Sequence, residues 1–272
     1  MFTLLRYGIP VMLHRALSLR SRLAAFIALI CGSLMLAISP VQAQSADCSP
    51  AASPGDAPPA WQTYCWLDFS GYNDAAARSA GGQAFSFLLS DGSSLQFTVN
   101  TTTTTASGAD DRPAPSWTGA AVGNSSFLGI PGRPILYMAN SGATVNFTFS
   151  NITIVPPPGV ASVTDFAFVV ADGESTDNSE FLNFTTNGGN WEILDVVPPI
   201  TGSQYPVLTG TGTSALGMSG GGQSGRIGAY IAASNKPTTV TAEMKGQRPA
   251  RHDVRDPLRL DHSDQTDHRC TG

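Results

Sequence analysis

Short runs in which apolar residues alternate with Thr, Ser and Asn fill the chain between Trp61 and Met244. Alternation with a period of about two residues is typical of half-buried β-strands, whereas a helix repeats its apolar positions about every 3.6 residues. No stretch shows a sustained helical repeat. The clearest unit is Ala84–Leu89, an Asp-Gly turn and then Leu95–Thr103, which predicts a β-hairpin. The sequence therefore predicts an all-β domain and disfavours parallel α/β folds, whose crossover helices are missing.

Other strand-like segments recur at short intervals, separated by Gly- and Pro-containing turns, and this spacing predicts a β-sandwich or jelly roll. One or two helical turns are predicted at Asn73–Ala80. Loops are predicted at Thr104–Pro115 and at Gly202–Gly225, which holds eight glycines. The other predicted strands are Thr63–Phe69, Ile135–Met138, Ala143–Phe149, Asn151–Val155, Asp165–Ala171, Phe181–Thr185, Asn190–Val196 and Arg226–Ala232.

The first 43 residues have the three parts of a secretory signal peptide. Four arginines and no acidic residue precede or flank the start of the apolar run Leu23–Ile38, and the small-residue exit Val41-Gln42-Ala43 follows it. A retained membrane anchor is the alternative, but this run of 16 residues is shorter than the ~20 needed to span a bilayer. We therefore predict cleavage after Ala43, a secreted or cell-surface protein and no membrane insertion after cleavage.

Composition divides the rest of the chain into three regions. Residues 44–60 are rich in Pro, Ala and Ser and predict an irregular leader, and residues 61–244 hold the predicted β domain. Residues 44–244 contain 15 acidic and five basic side chains. Nucleic acids and anionic membranes need basic patches on their partners, so this balance argues against both. It is compatible with cations, sugars or a basic protein surface.

The tail, residues 245–272, differs sharply from the domain. It holds six basic and five acidic residues in 28 positions and few apolar ones, so we expect it to be disordered. If the reading frame of the tail is shifted by one base, its codons can encode the strand-like segment MMFAIRYA. This pattern predicts a frameshift that replaces the last strand of the domain, and a natural charged tail is the alternative. A sandwich without its final strand would expose an unpaired edge.

Cysteine and histidine usage limits the chemistry. Cys48 and Cys65 are predicted to form a disulfide in an oxidising compartment, with two free thiols as the alternative. The region 44–244 contains no His, so Ser-His-Asp triads, Cys-His pairs and His-rich zinc sites are not available there. A glycosidase needs only two carboxylates, so a glycoside-active enzyme stays open as an alternative. We predict no catalytic residue and no enzymatic activity.

The richest polar cluster predicts a ligand-binding loop. It consists of Asp172, Glu174, Asp177, Asn178 and Glu180. Alternating oxygen ligands suit Ca²⁺, for which Asp172, Glu174 and Asp177 are the candidates, although the EF-hand spacing is absent. A solvated acidic loop is the alternative. No other cofactor is predicted.

Two tryptophans are candidates for stacking on a sugar. Trp117 follows a polar loop and Trp191 follows a Gly-Gly turn, so both rings would lie near loop tips. Exposed aromatic faces beside polar groups are suited to amphipathic ligands. Packing in the core is the alternative for either ring.

Several segments, taken in order, form a recognisable series. They are CWLDFSGY at 65–72, GQAFSF at 82–87, PILY at 134–137, VNF at 145–147, DFAFVVADGES at 165–175 and WE at 191–192. The series resembles the second non-repetitive domain of CshA-type fibrillar surface adhesins. The resemblance implies a lectin-like β-sandwich at the cell surface that binds a host or environmental glycoprotein or glycan without catalysis. A structural tip or spacer module of a surface fibre is the alternative.

Overall fold

The computed structural model describes residues 47–59, 64–106, 108–114, 126–139, 142–161, 165–173, 176–223 and 227–246. The predicted signal peptide 1–43, most of the tail, and the candidates Trp117 and Glu174 lie outside these residues. The predictions about them stay predictions.

Strands make up nearly all the regular structure of the described residues, and the one helix there is a single turn. Within the same residues, no helix has the length and apolar character needed to cross a bilayer. The helix is α1 Asp74–Ala77, and the strands are β1 Cys48–Ser49, β2 Ser53–Gly55, β3 Trp66–Leu67, β4 Gln83–Leu88, β5 Ser94–Thr103, β6 Ala109–Arg112, β7 Ser126–Leu128, β8 Ile135–Met138, β9 Thr144–Val155, β10 Ala167–Ala171, β11 Phe181–Thr186, β12 Glu192–Val197, β13 Val207–Thr209, β14 Ala215–Ser219, β15 Ala229–Asn235 and β16 Thr239–Lys245.

Seven antiparallel strands form the large sheet, in the order β13-β14-β11-β16-β9-β5-β4. Buried and partly exposed residues alternate along its central strands. On β16, for example, Val240, Ala242 and Met244 are buried and the residues between them are not. Because successive side chains of a strand point to opposite faces, one face of the sheet is apolar and the other is polar.

A second layer covers the apolar face of the large sheet. It consists of the three-stranded sheet β10-β15-β12 and the ribbon β6-β8. The core between the two layers, which we call the first core, contains Phe149 of the large sheet and Phe168 of the second layer, with ring centroids 5.5 Å apart. The predicted all-β sandwich is confirmed.

A second core lies on the far side of the second layer. Trp66 and Phe127 pack edge to face there, with ring centroids 5.0 Å apart, and Ala51 and Ala57 of the leader are buried in the same cluster. Strands β10 and β15 separate the two cores, which explains why both of their faces are buried. The leader, predicted to be irregular, thus also contributes strands β1 and β2 and part of a core.

Three local predictions are confirmed. The hairpin forms between β4 and β5, and α1 lies within the predicted Asn73–Ala80. The side chain of Asn73 caps this helix by accepting a hydrogen bond from the Ala76 backbone N–H at 3.0 Å. Cys48 and Cys65 form a disulfide, with their Cα atoms 5.1 Å apart.

The predicted strands Ala143–Phe149 and Asn151–Val155 are one strand, β9. The register against β5 shifts so that Asn151 and Ile152 lie opposite a single residue, which is a β-bulge. Asn151 has φ 57°, a left-handed conformation that Asn tolerates better than most residues. The bulge changes which alternate positions face the core, so the apolar pattern looked like two strands.

The two predicted loops contain strands, and those predictions are wrong in part. Within Thr104–Pro115, β6 pairs with β8, and Arg112 lies over the Tyr137 ring at 4.6 Å from its centroid. Ladder hydrogen bonds and this cation–π contact hold a segment whose sequence, Ala-Asp-Asp-Arg, lacks apolar alternation.

The Gly-rich segment Gly202–Gly225 contains β13 and β14. Leu216 and Met218 of β14 are buried in the first core. Gly217 lies between them, and a Cβ atom at this position would clash with the Thr209 side chain of β13. Glycine therefore allows β13 and β14 to approach each other closely. The high glycine content of the segment had instead favoured a loop in the sequence analysis.

Two further differences concern strand assignment. Strand β16 is absent from the predicted series, yet it lies at the centre of the large sheet, between β11 and β9. Of the described part of the predicted strand Thr63–Phe69, which begins at Tyr64, only Trp66–Leu67 is a strand, and it pairs with the leader strand β1.

Candidate functional site

The acidic loop between β10 and β11 is closed by its own hydrogen bonds. The Asp177 backbone N–H donates to Glu180 Oε2 at 3.2 Å, and Asn178 Nδ2 donates to Asp177 Oδ1 at 2.8 Å. The backbone carbonyls of Asn178 and Glu180 accept from the N–H groups of Gly222 and Gly220. The structure therefore brings Asp177, Asn178 and Glu180 together against the Gly-rich turn, with the carboxylates engaged inside the loop.

Asp172 accepts a hydrogen bond at its Oδ2 from Thr176 Oγ1 at 2.6 Å. It lines a groove beside β8 that Glu180 also lines. Among the described residues, no group of three or more His, Cys, Asp or Glu side chains is placed to hold a metal ion. Because Glu174 is outside them, the calcium site stays a prediction.

Trp191 is fully buried, so its ring face is not accessible to a ligand. The ring packs against Phe184 in the first core, with centroids 5.7 Å apart, and the Trp191 backbone exchanges hydrogen bonds with the segment before β14. The candidate sugar-stacking role of Trp191 is therefore corrected: the Gly-Gly turn before it directs the ring inward.

A groove near the disulfide combines the features expected of a sugar site. It forms where the ribbon of β1 and β3 meets β4, and we call it the disulfide groove. Its lining residues are Asp47, Ser49, Trp66, Asp68, Ser70, Gly71, Phe85, Ser86, Phe87 and Pro131.

Two residues that lie opposite each other in the β1–β3 register, Asp47 and Asp68, line the disulfide groove with carboxylates. The β1–β3 register pairs Cys48 with Leu67, so the next pair is Asp47 with Asp68, and the Asp68 backbone N–H donates to the Asp47 carbonyl at 3.2 Å. Residues directly opposite each other in an antiparallel ribbon project to the same face.

Hydrogen bonds fix both carboxylates in position. Asp47 Oδ2 accepts from the Leu88 backbone N–H at 3.0 Å. Asp68 Oδ1 accepts from the backbone N–H groups of Ser70 and Arg133, each at 2.9 Å, and from the Ser70 hydroxyl. Burial raises the pKa of Asp68, but these hydrogen bonds and the Arg133 charge outweigh it, so the pKa lies below its ordinary value.

Each carboxylate keeps one oxygen that has no hydrogen-bond partner among the described residues, Oδ1 of Asp47 and Oδ2 of Asp68. Beside them lies the half-buried ring of Phe85, stacked on Phe87 with centroids 5.5 Å apart and planes 3° apart. Carboxylate acceptors, serine hydroxyls and an aromatic face suit a ligand with several hydroxyl groups.

The sequence analysis missed this groove. Asp47 immediately precedes Cys48, and Asp68 follows Cys65 by three positions. The disulfide alone does not place the two residues opposite each other, because the ribbon pairs Cys48 with Leu67 and not with Cys65. The opposite positions of Asp47 and Asp68 follow from this register, which no local pattern in the sequence indicates.

Comparison with known proteins identifies the family. The family described as surface adhesin CshA non-repetitive domain 2 matches residues 62–252, which is more than half of the chain and includes every strand from β3 to β16. No curated protein matches the chain, and no solved structure does. The resemblance predicted from the motif series is confirmed. The chain belongs to the family of the second non-repetitive domain of the surface adhesin CshA.

Proposed function

We propose that the protein is an exported, non-catalytic adhesin module that binds a glycan, free or on a glycoprotein, through the disulfide groove. The observation that carries this proposal is that Asp47 and Asp68 line one groove with the half-buried Phe85 ring, and that each carboxylate keeps one oxygen without a hydrogen-bond partner among the described residues. Family membership supports a role in surface adhesion.

The chemistry of the groove favours a sugar over other ligands. Sugar hydroxyls donate to carboxylate oxygens, and the C–H face of a sugar ring packs on an aromatic ring. The serine hydroxyls of Ser49 and Ser86 add groups that both donate and accept. Basic ligands would also be attracted, but they do not need the flat aromatic surface.

A glycoside hydrolase is the second candidate, because it also needs two carboxylates in one cleft. Its general acid must have a raised pKa so that it is protonated before the reaction. The pKa of Asp68 is lowered, and three hydrogen-bond donors converge on its Oδ1. A carboxylate whose pKa is lowered in this way accepts hydrogen bonds well and protonates a leaving group poorly, which favours binding over an acid role for Asp68.

A glycan and matrix-protein array probed with the full chain tests the proposal. We expect retention on at least one class of glycan. Asp47→Asn and Asp68→Asn should each weaken binding at least about tenfold, because a hydrogen bond to a charged acceptor contributes about 1.5–3 kcal/mol. Phe85→Ala should weaken it as well. The matched control is Asp56→Asn, which removes an exposed carboxylate outside the groove.

The other candidate functions give different results in the same experiment. A chain that binds nothing on the array would support a structural tip or spacer module. Shortening of the arrayed glycans during incubation would support the hydrolase. Binding that both asparagine variants leave unchanged would exclude the disulfide groove as the site.

Asp68 also predicts a pH dependence of stability. Its folded-state pKa lies below the ordinary value of 3.8, so its contribution is present above that value and is lost as the pH falls through the folded pKa. We expect wild type and Asp68→Asn to differ in free energy of unfolding by a constant amount between about pH 7 and pH 5, and the difference to shrink as the pH falls below 3.8 through the folded-state pKa. Urea unfolding across this pH range measures the difference. A difference in free energy of unfolding that disappears already near neutral pH would contradict the lowered pKa of Asp68.

A further inference from the structure

Strands β8 and β10 of the second layer each have one edge without a partner strand. Among the described strands, β8 pairs only with β6, and β10 pairs only with β15. Both are nevertheless buried on two faces, with Leu136 and Val169 fully buried and Ala171 nearly so. Exposed edge strands usually carry charged residues or prolines, whereas continuous burial is typical of strands inside a sheet.

The hydrogen bonds identify which backbone groups face outward on β10. The Lys236 backbone N–H donates to the Phe166 carbonyl, so Phe166 and every second residue after it point their backbone groups toward β15. The backbone groups of Val169 and Ala171 therefore point away from β15. No described residue bonds to them, and buried backbone groups without partners are rare in folded proteins.

The same reasoning applies to β8. The Ala139 backbone N–H donates to the Gly108 carbonyl next to β6, so the residues at odd positions of β8 point their backbone groups toward β6. The backbone groups of Leu136 and Met138 point the other way. Both residues are buried, and neither has a backbone partner on that side among the described residues.

Side-chain packing places the two open edges in one layer. Leu136 of β8 belongs to the first core with Val170 of β10, and Ile135 belongs to the second core with Val169. The two strands also end on the same side, because Met138 lines a groove with Asp172, the residue after β10. A single strand that runs antiparallel to both β8 and β10 would supply hydrogen-bond partners for the backbone groups of both edges. The residues of this strand whose side chains face the first core would bond to β8, and the residues between them would bond to β10.

We propose that the space between β8 and β10, which we call the strand slot, accepts one additional β-strand with apolar side chains on both faces. Met244, Lys245 and Gly246 line the groove beside β8, so a strand entering at Gly246 would run back antiparallel to both edges. The segment MMFAIRYA, which the codons of the tail permit one base later, has the required composition. The sequence GQRPARHDVR at 246–255 does not, because charged residues recur through it. This proposal is independent of the disulfide groove.

Hydrogen exchange of the full chain, with and without a synthetic MMFAIRYA peptide, tests the proposal. Exchange at the slot-facing amides of Leu136, Met138, Val169 and Ala171 should be fast in the chain alone. It should slow about 100-fold at a peptide concentration about 100 times the dissociation constant. The control peptide is MMFPIRYA, whose proline removes a central donor and should give at most weak protection.

Three outcomes would overturn the proposal. One is no change in exchange at these amides with MMFAIRYA at saturation. Another is equal protection by MMFPIRYA, which would indicate nonspecific apolar association. The third is protection of the same amides in the chain alone, whether constant or rising with protein concentration, because the slot would then already be closed by this chain or by a second copy.

Discussion

Replacing Phe149 with alanine is expected to lower the free energy of unfolding by about 3–5 kcal/mol. The ring is fully buried in the first core and lies 5.5 Å, between centroids, from both Phe97 in the large sheet and Phe168 in the second layer. Truncation removes the contact that joins the two layers and leaves a cavity that neighbouring strands cannot fill. Urea unfolding followed by tryptophan fluorescence measures the loss, because Trp191 and Trp66 are buried in the two cores.

Val155→Ala on the same strand is the matched control. Val155 is 44% exposed at the end of β9, so its truncation should change the free energy of unfolding by no more than about 0.5 kcal/mol. Similar losses of free energy of unfolding in the two variants would contradict the prediction, because the first core would then not hold the large sheet and the second layer together.

Removing the disulfide is expected to have the second-largest effect. The paired Cys48→Ala and Cys65→Ala substitutions should lower the free energy of unfolding by about 3 kcal/mol, since the closed loop spans a sequence separation of 17. Beyond the bridge, β1 is tied to the domain by only two residue pairs. Thermal denaturation with and without a reducing agent measures the effect.

The reducing agent supplies the control for this prediction. It should lower the melting temperature of the wild-type chain and leave the double variant unchanged. A decrease of similar size in both proteins would place the redox effect at another cysteine. Because Asp47 is adjacent to Cys48, the double variant should also lose affinity in the glycan assay, which links the stability of the leader to the disulfide groove.

Local sequence patterns were sufficient to predict a strand wherever that strand buries only one of its two faces. The β4–β5 hairpin follows from strict alternation and a turn-forming dipeptide, and α1 follows from its small residues and the Asn73 cap. Strand β6 was missed because its stability comes from its partner β8 and from the Arg112 contact with Tyr137. Neither of these is a local property of the sequence.

The functional residues show the same limit. Asp177, Asn178 and Glu180 do lie together, as their spacing suggested, but their hydrogen bonds close the loop on itself. The ring of Trp191 lies in the first core because it packs against Phe184. The two residues are close in sequence, but a contact between them produces no repeating apolar pattern that could have predicted it. The opposite positions of Asp47 and Asp68 depend on a register that pairs Cys48 with Leu67, and the disulfide between Cys48 and Cys65 does not predict that register.

The central position of β16 has a consequence for how the domain folds. Strands β4, β5 and β9 on one side and β11, β13 and β14 on the other are joined in the large sheet only through β16, the last described strand in chain order. The two half-sheets therefore cannot unite until residue 245 is available, and most of the ladder contacts connect segments far apart in sequence. Such a topology folds slowly and late. During synthesis, the two half-sheets would therefore stay separate until the strand that joins them has left the ribosome.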